Sequence, residues 1–174
     1  MRVVNTLKSI MDDLEASGAI QSYTYQSPSR VNVDLDTMRT PCGVMLCVTD
    51  RDVDIAQQTS RERSMVNIFF LTRQGSIDYD GTANDILIDQ MTEVAFGFLS
   101  RLRLVDELHI VDDDVKLLSI YNEHDANTTG VNIQLTIEEN QGHCMAMEST
   151  WWAWDTAELM HYDDSVCVKV GGDL

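Results

Sequence analysis

Basic side chains are scarce in this sequence. Twelve Lys and Arg stand against twenty-nine Asp and Glu, a formal net charge of −17. Grip on a nucleic-acid backbone rests on Lys and Arg that neutralise phosphates, so the deficit argues against a phosphate-neutralising surface. Proline is rare as well, with two in 174 residues, and nine glycines leave little room for long linkers. That length points to one domain with an appendage. Long hydrophobic runs are missing, and VNIFFL is far too short to span a bilayer. The opening MRVVNTLKSIMDDL brings in acids early and is followed by no small-residue cleavage site. A chain made and kept in a cytoplasm, or packaged from one, is therefore expected.

Several chemical signatures are also lacking. Cys42, Cys47, Cys144 and Cys167 form no CxxC pair and have no histidine nearby at zinc-ligand spacing. They are expected to be reduced thiols, with Cys42 and Cys47 inside an apolar strand, and disulfides are not expected in a reducing compartment. Neither GxGxxG nor GxxxxGK[ST] occurs, so no glycine-rich phosphate loop is present, and no GxSxG nucleophile elbow is found. Ser76, Asp78, Asp80 and Gly81 look like the first half of a calcium loop. With Gly81 at the sixth position, however, Leu87 falls where a bidentate Glu is required. Asp112, Asp113 and Asp114 read as a hairpin tip, and the pairs Asp34/Asp36 and Asp163/Asp164 carry no stronger metal signal. No cofactor or metal is expected.

What the chain does have is a strong helix signal over residues 82–103. Leu87, Met91, Val94, Phe98 and Leu102 recur at steps of three and four, and Ile88, Ala95 and Leu99 widen the stripe. Thr82 reads as the N-cap with Asp85 as a weak capping-box partner, and Arg101 and Arg103 suit the negative end of the dipole. Such a helix is roughly 30 Å long and crosses a small domain. A first helix is predicted over 2–17, with Val3, Leu7, Ile10, Met11 and Leu14 on one face and Gly18 as its stop.

Strands fill the remainder. Residues 20–33 alternate around Pro28 and read as a hairpin or two short edge strands, and 34–40 as a polar connection. PCGVMLCVTD is a strand buried on both faces, 50–64 an exposed loop or hairpin arm, and 65–73 the strongest strand. DELHIV and VKLLSIYN are expected to pair as a hairpin around residues 112–114. Residues 129–139 alternate Val131, Ile133, Leu135 and Ile137 against polar neighbours, the mark of a half-buried strand. A short alternating strand closes the chain. Helices segregated from strands imply an α+β fold, with an antiparallel or mixed sheet backed by two amphipathic helices.

Two places invite a functional reading. The polar stretch 121–130 holds Tyr121, His124 and Asp125, an acid–base set in principle. Adjacent residues on an extended chain point apart, so a structural turn or a subunit contact is the plainer reading. Asn127 and Thr129 also match a glycosylation sequon, which means little without a secretory route. The second place is Trp151, Trp152 and Trp154, three tryptophans in a chain with only five Tyr and four Phe besides. Neighbouring tryptophans cannot all share one buried face, and large aromatics dominate protein–protein hot spots; closing the bottom of the core is the competing role.

The order of these elements adds a resemblance. NIFFLTRQGSIDYDGTANDILIDQMTEVAFGFLSRL, then YNEHDANTTGVNIQLTIEENQGHC, resembles neck or tail-completion proteins of tailed phages and prophages of gut bacteria. These form the tail-terminator-like class, with relatives in crAss-like phages. The likeness runs from Val3 to Cys144, so residues 1–143 form the tail-terminator-like α+β domain and 144–174 a Trp-rich extension or contact arm. The resemblance implies a non-enzymatic virion protein, a ring of six or twelve copies between portal and tail, made in the bacterial cytoplasm. Its partners are then further copies of itself and portal-side and tail-side virion proteins, with no membrane and no sequence-specific DNA contact. The interface residues it implies are Tyr121, His124, Asp125, Asn127, Thr128 and Thr129 in the turn. The tryptophans 151, 152 and 154 join them, with Arg61 and Arg63 on the reaching arm. Carboxylates lining a ring suit a lumen that must not hold DNA. Two other readings stand beside it: a small α+β enzyme using His124 and Asp125, and an acidic DNA mimic that occupies a basic protein.

Overall fold

The computed structural model describes residues 2–48, 51–55, 60–73, 81–106, 108–111, 115–123, 127–141, 161–162 and 169–170. The chain is α+β: two long helices pack on a six-strand mixed sheet, and a further short strand extends it. In order the elements are α1 (Arg2–Ala16), β1 (Ser22–Gln26), α2 (Val31–Leu35), β2 (Cys42–Leu46), β3 (Arg51–Ile55) and β4 (Ser60–Arg73). Then come α3 (Gly81–Leu102), β5 (Leu108–Ile110), β6 (Lys116–Glu123), β7 (Thr128–Gln141), β8 (His161–Tyr162) and β9 (Lys169–Val170). The last two strands pair only with each other.

The centre of the sheet is an antiparallel ribbon of β4 and β7, in unbroken register from Ser60↔Gln141 to Arg73↔Thr128. On the outer side of β4 lie β2 and, further along, β3; on the outer side of β7 lie β6 and, further along, β5. β1 adds to β2 in parallel and closes that side. β3 thus pairs antiparallel with residues 60–64 of β4, in keeping with the hairpin alternative of the loop or hairpin arm expected over 50–64. DELHIV and VKLLSIYN, by contrast, do not pair with each other. β5 and β6 lie end to end along β7, because β7 is long enough to offer both a ladder and Leu108 becomes buried against the helix side.

Both long helices cover one face. α1 buries Val3, Leu7, Ile10, Met11 and Leu14, the predicted stripe. It ends in a Schellman motif: Ala19 N–H reaches Leu14 O and Gly18 N–H reaches Glu15 O, both at 3.0 Å, with Gly18 at φ 77°. α3 buries Ile88, Met91, Ala95, Phe98 and Leu102, while Leu87, Val94 and Leu99 are half-buried flanks. The buried stripe therefore sits one position away from the one centred on Leu87 and Val94. Thr82 lies inside the first turn instead of capping it. Beneath the helices sit Met45, Val66, Ile68, Phe70, Val131, Ile133, Leu135 and Ile137.

The opposite face is covered in part by α2, which corrects the second half of the reading of 20–33: Ser22–Gln26 is a strand, and Val31–Leu35 a helix. After β1, Ser27 leads into a 3-10 turn at Pro28–Arg30, with Pro at its first position, and the chain continues into α2. Val31 and Leu35, four apart, then lie on Cys42, Val44, Leu71 and Ile120. Arg73 donates to the carbonyl of Leu35 and holds the end of α2. No described helix is long and apolar enough to cross a membrane.

Candidate functional site

The polar turn expected at 121–130 closes β6 onto β7. A register shift between Ile120 and Glu123 marks a bulge, and Asn127 adopts φ 48°, a left-handed conformation that asparagine tolerates well. Thr128 and Thr129 are fully buried, which removes their side chains from the surface where contact was expected. The hydroxyl of Thr129 donates to Oδ1 of the buried Asn84 at 3.3 Å and so ties β7 to the first turn of α3. Adjacent on β7, the two threonines turn to opposite faces: Thr129 shares the helix-covered face of Val131 and Ile133, and Thr128 the other face with Asn132. Tyr121 and Asn127 do face solvent. Tyr121 is 50% exposed, and its hydroxyl reaches Asp85 Oδ1 at 3.5 Å. His124 and Asp125 lie outside the described residues, as do Trp151, Trp152, Trp154 and the 143/144 boundary.

On the arm, Arg61 stands in register with Asp54 on one side and Asn140 on the other. Arg63 is half-exposed and its Nε lies 3.0 Å from Glu138 Oε2. The register extends this into a lateral row of Asp52, Arg63, Glu138 and His109 over four strands. The opposite signs of Asp52, Arg63 and Glu138 along this row favour strand register more than they add stability, since exposed pairs contribute about 0–1 kcal/mol.

Among the described residues, large apolar side chains meet solvent in four places, one of them Leu104, 82% exposed just past α3. On α3, Ile86 and Phe96 point away from the sheet, Phe96 at 52% exposure. On the face beyond α2, Met65 is exposed and Phe69 half-buried. There the amide oxygens of Asn67 and Asn132 have no hydrogen-bond partner among the described residues. Along β6, Leu117, Leu118 and Tyr121 are all exposed, Leu118 at 46%. The register places Leu117 beside Ile133 on the helix side and Leu118 beside Asn132 on the other. The sequence holds a signal for this that composition does not reveal: two consecutive leucines on a strand must serve opposite faces, and an edge strand cannot bury both.

Two titrating groups depart from their ordinary range, and both tie elements together. Burial first, then a 2.6 Å hydrogen bond to Asp12 Oδ1, pushes the Tyr23 phenol up to about 12, anchoring β1 to α1. Burial pushes the Cys42 thiol up to about 11, with Arg73 pulling the other way. Among the described residues, no three His, Cys, Asp or Glu side chains gather closely enough to hold a metal ion. Comparison with models of known protein families and with curated proteins found no match.

Proposed function

We propose that this chain is a structural virion protein of a phage neck or tail connector, with a tail-terminator-like fold. It assembles as a ring of six or twelve copies between portal and tail. The observation that carries this reading is the set of apolar side chains left in solvent on a chain with net charge −17: Leu117, Leu118 and Tyr121 along β6, and Ile86 and Phe96 along α3. Large apolar side chains exposed on an otherwise charged surface suit protein contact. The surplus of carboxylates suits a channel through which DNA slides without adhering. The resemblance of residues 67–102 and 121–144 to tail-completion proteins gives that contact its setting. The arm bearing Arg61 and Arg63, with the extension 144–174 and its tryptophans, then reaches portal-side and tail-side partners.

Mass spectrometry of purified tailed particles from the host, joined to micrographs of the recombinant chain, tests the proposal. The expected result is the chain present in particles at a fixed ratio to the portal protein, and closed rings in the micrographs. Its absence from purified particles would overturn the assignment.

A further inference from the structure

One border of the sheet stands open, and its own residues suit a second copy of this chain. We propose that two copies pair their β6 strands antiparallel across a two-fold axis at Ser119, so that the two sheets run on as one. Such a pair needs no ring and goes beyond the reading above.

Among the described residues, four strands have a partner on one side only: β1, β3, β5 and β6. Every second residue of such a strand turns its backbone N–H and C=O outward, a template for another strand. Three of the four are blunted or occupied. β3 has three charged residues among the five of RDVDI. β1 is half-buried along its length and bordered by α1, where Asp12 accepts from the Tyr23 hydroxyl and Lys8 Nζ lies 4.8 Å from the centre of the Tyr25 ring. β5 has only three residues, with Leu108 buried and Ile110 half-buried. β6 differs. Lys116, Leu117, Leu118 and Ser119 are exposed one after another, as is Tyr121, so residues of both faces meet solvent along that border. In a chain with twenty-nine acids, β6 carries charge only at its ends, Lys116 and Glu123.

One open edge can meet only its own kind, and a surface that meets itself does so across a two-fold axis. An axis normal to the sheet keeps the helix-covered faces of both copies on one side, so odd positions of β6 meet odd and even meet even. Leu117 stands beside Ile133 on the helix side, and Tyr121, whose hydroxyl reaches Asp85 of α3, shares that side; Leu118 stands beside Asn132 on the other. Centring the axis on Ser119 sets Leu117 opposite Tyr121 of the second copy and Leu118 opposite its Ile120, apolar against apolar on both faces. The end of β6 that carries Lys116 then meets the end that carries Glu123, so opposite charges come together at both ends of the contact.

Ser119→Cys in the full chain reads the register. Residues directly opposite on antiparallel strands stand about 4.5–5.5 Å apart at Cα, within reach of a disulfide. Mild oxidation should therefore give a covalent dimer linked through the two introduced sulfurs, identified by peptide mapping. Leu117→Cys, whose two copies lie about 13 Å apart along the strand, should not link. In sedimentation the unmodified chain should be a dimer, and Leu118→Glu should weaken dimerisation by about tenfold or more with its far-UV circular dichroism unchanged. Hydrogen exchange along a dilution series should slow by about tenfold or more over 116–121 in the dimer, with 22–26 and 51–55 unchanged. A monomer at the highest soluble concentration, a dimer indifferent to Leu118→Glu, or equal linkage through Leu117→Cys would each overturn the proposal. Closed rings in which 116–121 does not slow would overturn it while leaving the ring reading in place.

Discussion

Replacing Phe98 by Ala tests the packing on which the rest of the molecule depends. Phe98 is 0% exposed and sits in the middle of α3, with its ring centroid 5.8 Å from that of Phe70 on β4 and the planes at 56°. That is a tilted aromatic pair within the favourable range. Removing a buried ring costs about 3–5 kcal/mol in lost transfer energy and cavity. A domain of this kind is stable by about 5–15 kcal/mol, so the loss is a large share of the total. With a urea slope of roughly 1–3 kcal/mol per molar, the unfolding midpoint should fall by about 2 M. Phe96→Ala is the control. It removes the same ring from the same helix two residues earlier, where the side chain is 52% exposed, and should change stability by no more than about 0.5 kcal/mol. Helix propensity shifts equally in both, so their difference isolates burial. A double-mutant cycle of Phe98→Ala with Phe70→Ala should return a coupling of about 0.5–1.5 kcal/mol. Urea titrations followed by circular dichroism read all of these. Equal losses from Phe96→Ala and Phe98→Ala would refute the orientation of α3 on the sheet.

Three other outcomes are expected. A Cβ at position 130 would land on the carbonyl oxygen of Phe70 and within 3.1 Å of Leu71 Cα, backbone of the central strand that cannot yield. At position 43 it meets only the methyl end of Met11, so in urea titrations Gly130→Ala should cost about 1–3 kcal/mol and Gly43→Ala clearly less. The Tyr23 phenol is held neutral in the fold, at about 12 against an ordinary 10.0; its contribution is therefore complete below the ordinary value and lost as pH climbs through 10 toward 12. Tyr23→Phe should lower the urea midpoint near neutrality and flatten the alkaline decline, and an unchanged decline would refute the assignment. Because the thiolate is the reacting form, native Cys42, buried and shifted to about 11, should resist alkylation at mildly alkaline pH. Peptide mapping should find the half-buried Cys47 labelled before Cys42.

How much of the site could be read in the primary structure varies from one residue to the next. Tyr121 and Arg63 were expected at the surface and lie there, whereas Thr128 and Thr129 were expected beside them and are buried. Polarity placed all four in one group. Two of them found an interior place because β7 begins at Thr128, one residue before the predicted strand; its alternation carries Thr129 under α3 and turns Thr128 to the opposite face, where it is also buried. The exposed edge at Leu117 and Leu118 was overlooked, since an apolar pair reads as core until the strand's neighbours are known.

The order of amino acids by itself determined α1, α3, the 65–73 part of β4 and the alternation of β7. In each, a long run repeats one period many times, and only one face can be apolar. Tertiary structure decided what short or ambiguous runs became. Val31 and Val33 alternate like a strand, yet Val31 and Leu35 also share a helical face, and five residues cannot distinguish the two periods. The uncovered side chains of Cys42, Val44, Leu71 and Ile120 settled it in favour of α2. In the same way β5 and β6 had equal local reason to pair with each other. The long open edge of β7 gave both a ladder and buried Leu108, and strand pairing is decided by such distant partners, which no local pattern encodes.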